Sequence, residues 1–283
     1  MGLQRKPDQK ICWLASYPKS GNTWTRLLLA HLLRDHDDHT EIDPVGSISS
    51  NRPTFDHITG LSSSDLTDDE VDLLRPEISR MIASNADKIE FIKTHDSYYD
   101  CGNGEPIFPL DCSYGAIYLV RNPLDIAVSY AYHQGHQDFA KVVRRMNCPT
   151  HSIAGGSHTQ IRQKVSSWSG HYRSWHDQSD IPVLTIRYED MVENTAGCLL
   201  EMATFIGLSG EGLPQRIKTA VEQTRFHKLQ ENEQSTGFKE KPERAARFFR
   251  SGRTGEGVES LDIDLQRALL KKHQQLMREL GYA

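Results

Sequence analysis

An apolar run, Ile11 to Ala15, ends in Ser16-Tyr17-Pro18-Lys19-Ser20-Gly21-Asn22-Thr23, and behind it Leu27, Leu28, His31 and Leu32 recur at helical spacing. Strand, tight loop and helix in that order form the opening of an α/β unit, in which parallel strands are covered by helices. The loop itself has chemistry. Backbone N–H groups at a helix start make a cradle for anions, Lys19 adds a mobile positive charge, and Gly21 lets the chain approach a phosphate. A nucleoside-triphosphate loop would read G-x-x-x-x-G-K-[ST]. Here Ser16 stands for the first Gly and Asn22 for the Lys, which argues against an ATPase or a magnesium-dependent kinase.

The same alternation continues along the chain. Residues 35 to 64 are polar and acidic and read as a surface loop with some short structure. Leu66, Val71, Leu74, Ile78, Met81 and Ile82 predict a helix that leads to a strand at Ile89 to Lys93. Ala116 to Val120 is a third strand, broken by Arg121-Asn122-Pro123, and Pro123 suits the first turn of the next helix. A loop over 149 to 158 precedes a predicted helix over 160 to 176, whose Trp168, Tyr172 and Trp175 have the spacing of a core stripe. Pro182 to Arg187 is a fourth strand, Leu199 to Ile206 lie on a helix closed by Gly207, and 214 to 229 read as a further helix. Residues 231 to 257 read as a loop that is mobile until a ligand orders it, and a final helix covers about 262 to 280. The expected fold is α/β, a P-loop-containing three-layer α/β/α sandwich with a central parallel sheet and ligands at the strands' C-terminal ends. Neither a repeat nor a shift in composition divides the chain, so one domain over 1–283 is expected.

Apolar residues make up 37% and charged residues 25% of the chain, with a formal net charge of -5, which is globular and argues against a general binder of nucleic acid or membrane surfaces. No apolar run approaches the roughly 18 to 20 residues of a membrane span, and no signal-peptide core is visible. Gly2 fails as a myristoylation site because Lys6 stands where Ser or Thr is needed. The five cysteines are odd in number and contain no C-x-x-C pair, so neither a disulfide framework nor a zinc site is expected and a cytoplasmic location fits. The run of His31, Asp35, His36, Asp37, Asp38 and His39 reads as a solvated helix end and loop, and no metal is expected.

Tyr17 to Trp24 closely resembles the 5′-phosphosulfate loop of the sulfotransferase family, written Y-P-K-S-G-[TN]-[TS]-W. The resemblance implies that Lys19, Ser20, Gly21, Asn22 and Thr23 hold the 5′ end of 3′-phosphoadenosine 5′-phosphosulfate and that Trp24 stacks on its adenine. Arg121 to Asp125, followed by Val128-Ser129-Tyr130, resembles the family's 3′-phosphate segment, which gives Arg121 and Ser129 that role. A guanidinium grips phosphate with two parallel hydrogen bonds and a hydroxyl donates to a further oxygen. Phe91 to His95 resembles the K-x-H segment of the cytosolic members, which makes His95 the candidate base and Lys93 its companion. Asp96-Ser97 stand where the family commonly has Leu-Pro, so a differently shaped acceptor pocket is expected.

Tyr188-Glu189-Asp190 is similar to a family Y-E-D, and Thr224-Arg225-Phe226 to a T-S-F element that touches the adenine. Tyr188 and Phe226 are equally core aromatics by type. Phe249 to Gly255 resembles the C-terminal R-K-G-x-x-G segment that closes over the 3′-phosphate, with Arg250 and Gly252 carried over. Ser251 replaces the usual Lys and Gly257 falls where a Trp commonly follows, so closure here is expected to be weaker or to use Arg253. The resemblance implies sulfuryl transfer to a hydroxyl or amine of a small-molecule acceptor by in-line displacement, releasing adenosine 3′,5′-bisphosphate. His95 would take the acceptor proton, and Lys19 and Lys93 would stabilise developing charge. A nucleotide-binding protein without turnover would keep Lys19, Arg121 and Ser129 but has no need of Lys93 with His95. The family's short dimerisation segment is not visible, and oligomeric state is left open.

Overall fold

A computed structural model of the chain describes residues 6–34, 43–155 and 159–283. The sequence features at Gly2, at 35–39 and at 156–158 lie outside the described residues. The elements follow in chain order: β1 (Ile11–Ser16), α1 (Asn22–Leu33), β2 (Ser47–Ile48), α2 (Arg52–Thr59), α3 (Asp68–Asn85), β3 (Glu90–Thr94), β4 (Ser113–Val120), α4 (Pro123–His133) and α5 (Phe139–Met146). The second half adds β5 (Ser152–Ile153), β6 (Gln163–Lys164), α6 (Trp168–His176), β7 (Val183–Arg187), α7 (Tyr188–Glu193), α8 (Thr195–Phe205), α9 (Leu213–Gln223), α10 (Phe226–Thr236), α11 (Glu256–Ser260) and α12 (Ile263–Glu279).

Five strands form a parallel sheet in the order β2-β3-β1-β4-β7, and β5 with β6 makes a separate antiparallel ribbon. β1 pairs with β3 from Ile11↔Glu90 to Ala15↔Thr94. Every residue of β1 is buried, as is all but one of β4, which is the signature of strands covered on both faces. The chain folds into two compact units. Residues up to Tyr17, Gly46–Tyr118 and Cys148–Thr185 make the first, and Pro18–Val45, Leu119–Asn147 and Ile186–Ala283 the second. The phosphate loop, the Arg121 segment, Tyr188, Phe226 and Arg250 all belong to the second unit, whereas Lys93 and His95 belong to the first.

Several predicted elements change. The polar stretch to residue 64 holds a two-turn helix, α2, started by Asn51, whose side chain accepts from Thr54 N, and ended by Gly60 in the left-handed conformation. α5 was not expected and begins at an Asp138 cap. The helix predicted over 160 to 176 starts only at Trp168, where Ser167 caps Gly170 N, because Gln163 and Lys164 pair with β5. The helix predicted over 214 to 229 is two helices, separated at Thr224-Arg225, where the Thr224 hydroxyl bonds back to Ala220 O. The loop expected over 231 to 257 has helix at both ends, in α10 and α11. Its middle is tied down by Phe248 N–H and Phe249 N–H donating to the two Glu233 carboxylate oxygens. Among the described residues, no helix is long and apolar enough to cross a membrane.

Gly46, at the entrance to β2, has φ of +85°, and a Cβ there would stand 2.2 Å from Phe91 O. Gly46→Ala is therefore expected to cost about 3 kcal/mol or more, from backbone strain plus a clash with a strand. Gly60→Ala, with φ of +68° and open space around it, should cost only about 1 kcal/mol. Urea unfolding of the two variants checks this difference.

Candidate active site

In the second unit the phosphate loop is bent by two left-handed residues, Lys19 at φ 71° and Gly21 at φ 99°. Gly21 is the N-cap of α1 and supplies no side chain to its first turn, which has no acidic residue either. The first N–H groups of a helix have no acceptor within it, so this end is suited to an anion. A Cβ on Gly21 would lie 2.7 Å from the Tyr188 ring, so only glycine permits the close approach of loop and ring. Ser20 is fully buried and its hydroxyl has no hydrogen-bond partner. A buried hydroxyl left in that state is costly unless something else completes it.

Arg121 joins this loop to the rest of the unit. Its Nη1 donates to Lys19 O at 3.2 Å, its Nη2 donates to Arg253 O at 3.0 Å, and the guanidinium stacks 4.2 Å above the Tyr188 ring. Its Nε is buried without a partner. Burial raises the pKa of the Tyr188 phenol, and the neighbouring guanidinium partly offsets this, so the ring stays neutral. Trp24 stands edge-on to Tyr188 with centroids 5.9 Å apart, and its indole N–H donates to Thr224 O at 3.2 Å. Trp24 and Phe226 pack on one core cluster of Leu27, Leu229 and Phe249, and a Cβ on Gly252 would lie 2.4 Å from the Phe226 ring. The unit thus brings Lys19 to Trp24, Arg121, Tyr188, Phe226 and Gly252 together. Ser129 is half-buried on α4, whose first turn is fixed by the Asn122 side chain accepting from Leu124 N.

Carboxylates that the sequence reading missed hold the basic groups. Arg250 donates through Nη1 and Nη2 to the two oxygens of buried Glu256, both at 2.6 Å, and stacks 4.2 Å over Tyr132. Arg250 keeps the Glu256 carboxyl below its ordinary range, chiefly by that hydrogen bond. Asp125 accepts from Gly255 N at 2.9 Å and Gly257 N at 2.7 Å, which clamps the C-terminal segment to α4. A Cβ at Gly257 would stand 2.3 Å from the Leu124 backbone, so a Trp there is excluded by contact. The Arg253 side chain is exposed and only its carbonyl reaches Arg121. Thr23 Oγ1 donates to Glu240 Oε2 at 3.1 Å, and Arg26 donates to the other oxygen of that carboxylate.

In the first unit His95 follows β3, two residues beyond Lys93 and therefore on the same side of an extended chain. Both side chains are half-buried. His95 Nδ1 lies 2.8 Å from Ser16 O. A carbonyl only accepts, so Nδ1 carries the proton and Nε2 is the basic nitrogen of the neutral ring. The backbone is held as well. His95 N–H donates to Gln163 Oε1 at 3.2 Å, and its carbonyl accepts from His171 Nε2, also at 3.2 Å. His171 in turn accepts at Nδ1 from Tyr118 OH at 2.7 Å. Asp96, fully buried, accepts from Arg75 Nη2 at 2.6 Å and Lys164 N at 2.8 Å, while its carbonyl accepts from Trp175 Nε1 at 2.9 Å. Where the family commonly has Leu-Pro, this chain fixes the residue after His95 by an ion pair. The Asp96 signal in sequence was only that departure, and His171 carried none beyond its helix. Among the described residues, no group of three or more His, Cys, Asp or Glu is placed to hold a metal ion.

The sulfotransferase domain family matches residues 9–281. Human Sulfotransferase 1E1 is 25% identical over 98% of this chain and 86% of its own length. The luciferin sulfotransferase of Photinus pyralis is 27% identical over 72% of this chain and 54% of its own. In fold the chain is similar to a retinol dehydratase solved with androsterone and inactive cofactor PAP, with a TM-score of 0.64 and 20% identity over 97% of this chain and 82% of that one. It is also similar to the mouse sulfotransferase SULT7A1 complexed with PAP, with a TM-score of 0.60 and 20% identity over 95% and 85% of the two chains. These are three-layer α/β folds around a parallel sheet. The chain belongs to the sulfotransferase domain family and is an enzyme of the transferase class.

Burial pushes the His171 imidazole down to about 3, against 6.5 ordinarily. The folded state therefore refuses a proton that the unfolded chain takes up. The stability this gives is fully present above about pH 6.5 and is lost as pH falls toward 3, at about 1.4 kcal/mol per pH unit. Unfolding free energies measured from pH 7 to 4.5 should show a shallower decline in His171→Gln than in the natural chain.

Proposed function

We propose that this protein transfers the sulfuryl group of 3′-phosphoadenosine 5′-phosphosulfate to a hydroxyl or amine of a small-molecule acceptor by in-line displacement, with His95 as general base. The reading is carried by one observation. Around a loop whose Gly21 lies against the Tyr188 ring, Ser20 Oγ and Arg121 Nε are buried donors with no partner, beside Lys19, and the Arg121 guanidinium stacks on that same ring. Such a set fits a ligand with anions at both ends of an adenosine. PAP in two solved structures of this fold agrees with it. The donor supplies an activated sulfuryl group on its 5′-phosphate.

The chain's own residues divide the work. Lys19, Ser20, Gly21, Asn22 and Thr23 hold the 5′ end, with Lys19 stabilising charge on the leaving phosphate oxygen. Thr23 does so through its N–H, because its hydroxyl proton is committed to Glu240. Arg121, Ser129, Arg250 and Gly252 hold the 3′-phosphate, and Trp24, Tyr188 and Phe226 flank the adenine. His95 takes the acceptor proton at Nε2, since Nδ1–H is held by Ser16 O, and the imidazolium so formed keeps that same hydrogen bond. Lys93 stabilises charge on the transferred group. The whole chain acts as one catalytic domain in the cytoplasm, where its five thiols would stay reduced.

Radiolabelled donor offered with 2-naphthol, an aliphatic alcohol, an arylamine and a monosaccharide tests the reading. Transfer to at least one is expected. His95→Ala should lower that transfer by about 10²- to 10⁴-fold and leave affinity for adenosine 3′,5′-bisphosphate within about threefold. Undiminished transfer by His95→Ala removes the base assignment, and consumption of magnesium ATP instead removes the sulfotransferase reading.

A further inference from the structure

The phosphate-loop lysine has a neighbour that no sequence motif announces. Lys19 Nζ lies 3.2 Å from His133 Nδ1 and 4.8 Å from the centroid of the Phe248 ring. An ammonium has protons and no lone pair, so Lys19 donates and Nδ1 accepts. The imidazole in this pair is therefore neutral, with its own proton on Nε2. His133 is the last residue of α4, the helix that also carries Ser129, and a helix's C-terminal end bears partial negative charge that favours a cation. Its ring stands edge-on to Phe248, with centroids 6.0 Å apart and planes at 80°. Phe248 is fixed in turn by its N–H, which donates to Glu233 Oε1 at 2.6 Å.

We propose that His133 is a positioning residue for Lys19 in sulfuryl transfer. The proposal rests on the reading of Lys19 as the group that stabilises the leaving phosphate oxygen. A lysine side chain carries about 2 kcal/mol of rotamer entropy, and a displacement of about 1 Å in a reacting site costs on the order of 10²-fold in rate. A neutral acceptor suits this task. A carboxylate in the same place would pair with the ammonium and consume the charge meant for the leaving oxygen. An imidazole nitrogen takes one of three protons, fixes the direction of the Cε–Nζ bond and leaves the ammonium its full charge. The consequence falls on the chemical step, where charge develops, more than on donor binding, where the ammonium contributes in any orientation.

Four variants of the full chain test this: His133→Leu, His133→Asn, Lys19→Met and the double variant Lys19→Met/His133→Leu. Each is assayed with radiolabelled donor and the acceptor found in the panel above, and its affinity for adenosine 3′,5′-bisphosphate is measured by calorimetry. His133→Leu is expected to lower kcat about 10- to 100-fold with the donor KM within about threefold. Asparagine places an acceptor oxygen where Nδ1 stood, so His133→Asn should recover most of the loss. In the Lys19→Met background, His133→Leu should change kcat by less than about twofold, because the group it positions is gone. If His133→Leu shows no thermal unfolding transition, His133→Ala carries the same expectations. The inference is overturned by a kcat within twofold of the natural chain, or by an equal loss with and without Lys19. Failure of the unsubstituted protein to transfer sulfuryl at all would overturn the functional reading itself, and this inference with it.

Discussion

The second unit depends on the guanidinium of Arg121. Four stretches of chain, far apart in sequence, meet on it: the phosphate loop through Lys19 O, the C-terminal segment through Arg253 O, the Tyr188 ring by stacking, and its own strand end. Taking a guanidinium out of water costs several kcal/mol unless its protons are met. Here two are met by carbonyls and the flat face by an aromatic ring, and the buried Nε has no partner in the protein. The same residue thus builds the cradle and holds one of the groups that a 3′-phosphate would satisfy. Asn122, next in sequence, extends this by donating its N–H to Glu189, which also accepts from Tyr282 OH near the chain's end.

A basic pocket built for anions would repel itself when empty. Two of its arginines are paired with carboxylates, Arg250 with Glu256 and Arg26 with Glu240, which also accepts from the Thr23 hydroxyl. Lys19 faces the His133 imidazole and the Phe248 ring. Around His95 the arrangement is the reverse. The His95 imidazole bonds to Ser16 O, and its backbone to Gln163 and His171, while the ion pair of Asp96 with Arg75 sits one residue further on.

Much of the architecture could be read from residue order. Buried parallel strands are short apolar runs, and β1 and β4 could hardly be anything else. The errors have physical causes. Ile161, Val165 and Trp168 are all buried at helix-like spacings, so 160–167 imitates a helix although Gln163 and Lys164 pair with β5. α2 buries only Phe55, and α5 only Val142, Val143 and Met146, too few to stand out from a polar loop. In the site, the phosphate loop was legible because anion binding demands particular residues at neighbouring positions. Its supporting partners were not. Glu240 lies 217 residues from Thr23, His133 lies 114 from Lys19, and Gly257 lies 132 from Asp125. Nothing local marks a carboxylate or an imidazole whose role is set by a distant stretch of chain.

In the proposed function, one unit of this chain is built around a nucleotide with phosphates at both ends of its adenosine. Calorimetric titration with adenosine 3′,5′-bisphosphate, beside adenosine 5′-monophosphate and magnesium ATP, tests it most directly. A single tight site is expected that needs the 3′-phosphate and weakens at least about tenfold in Arg121→Ala. Equal affinity for the monophosphate, or preference for magnesium ATP, would contradict it.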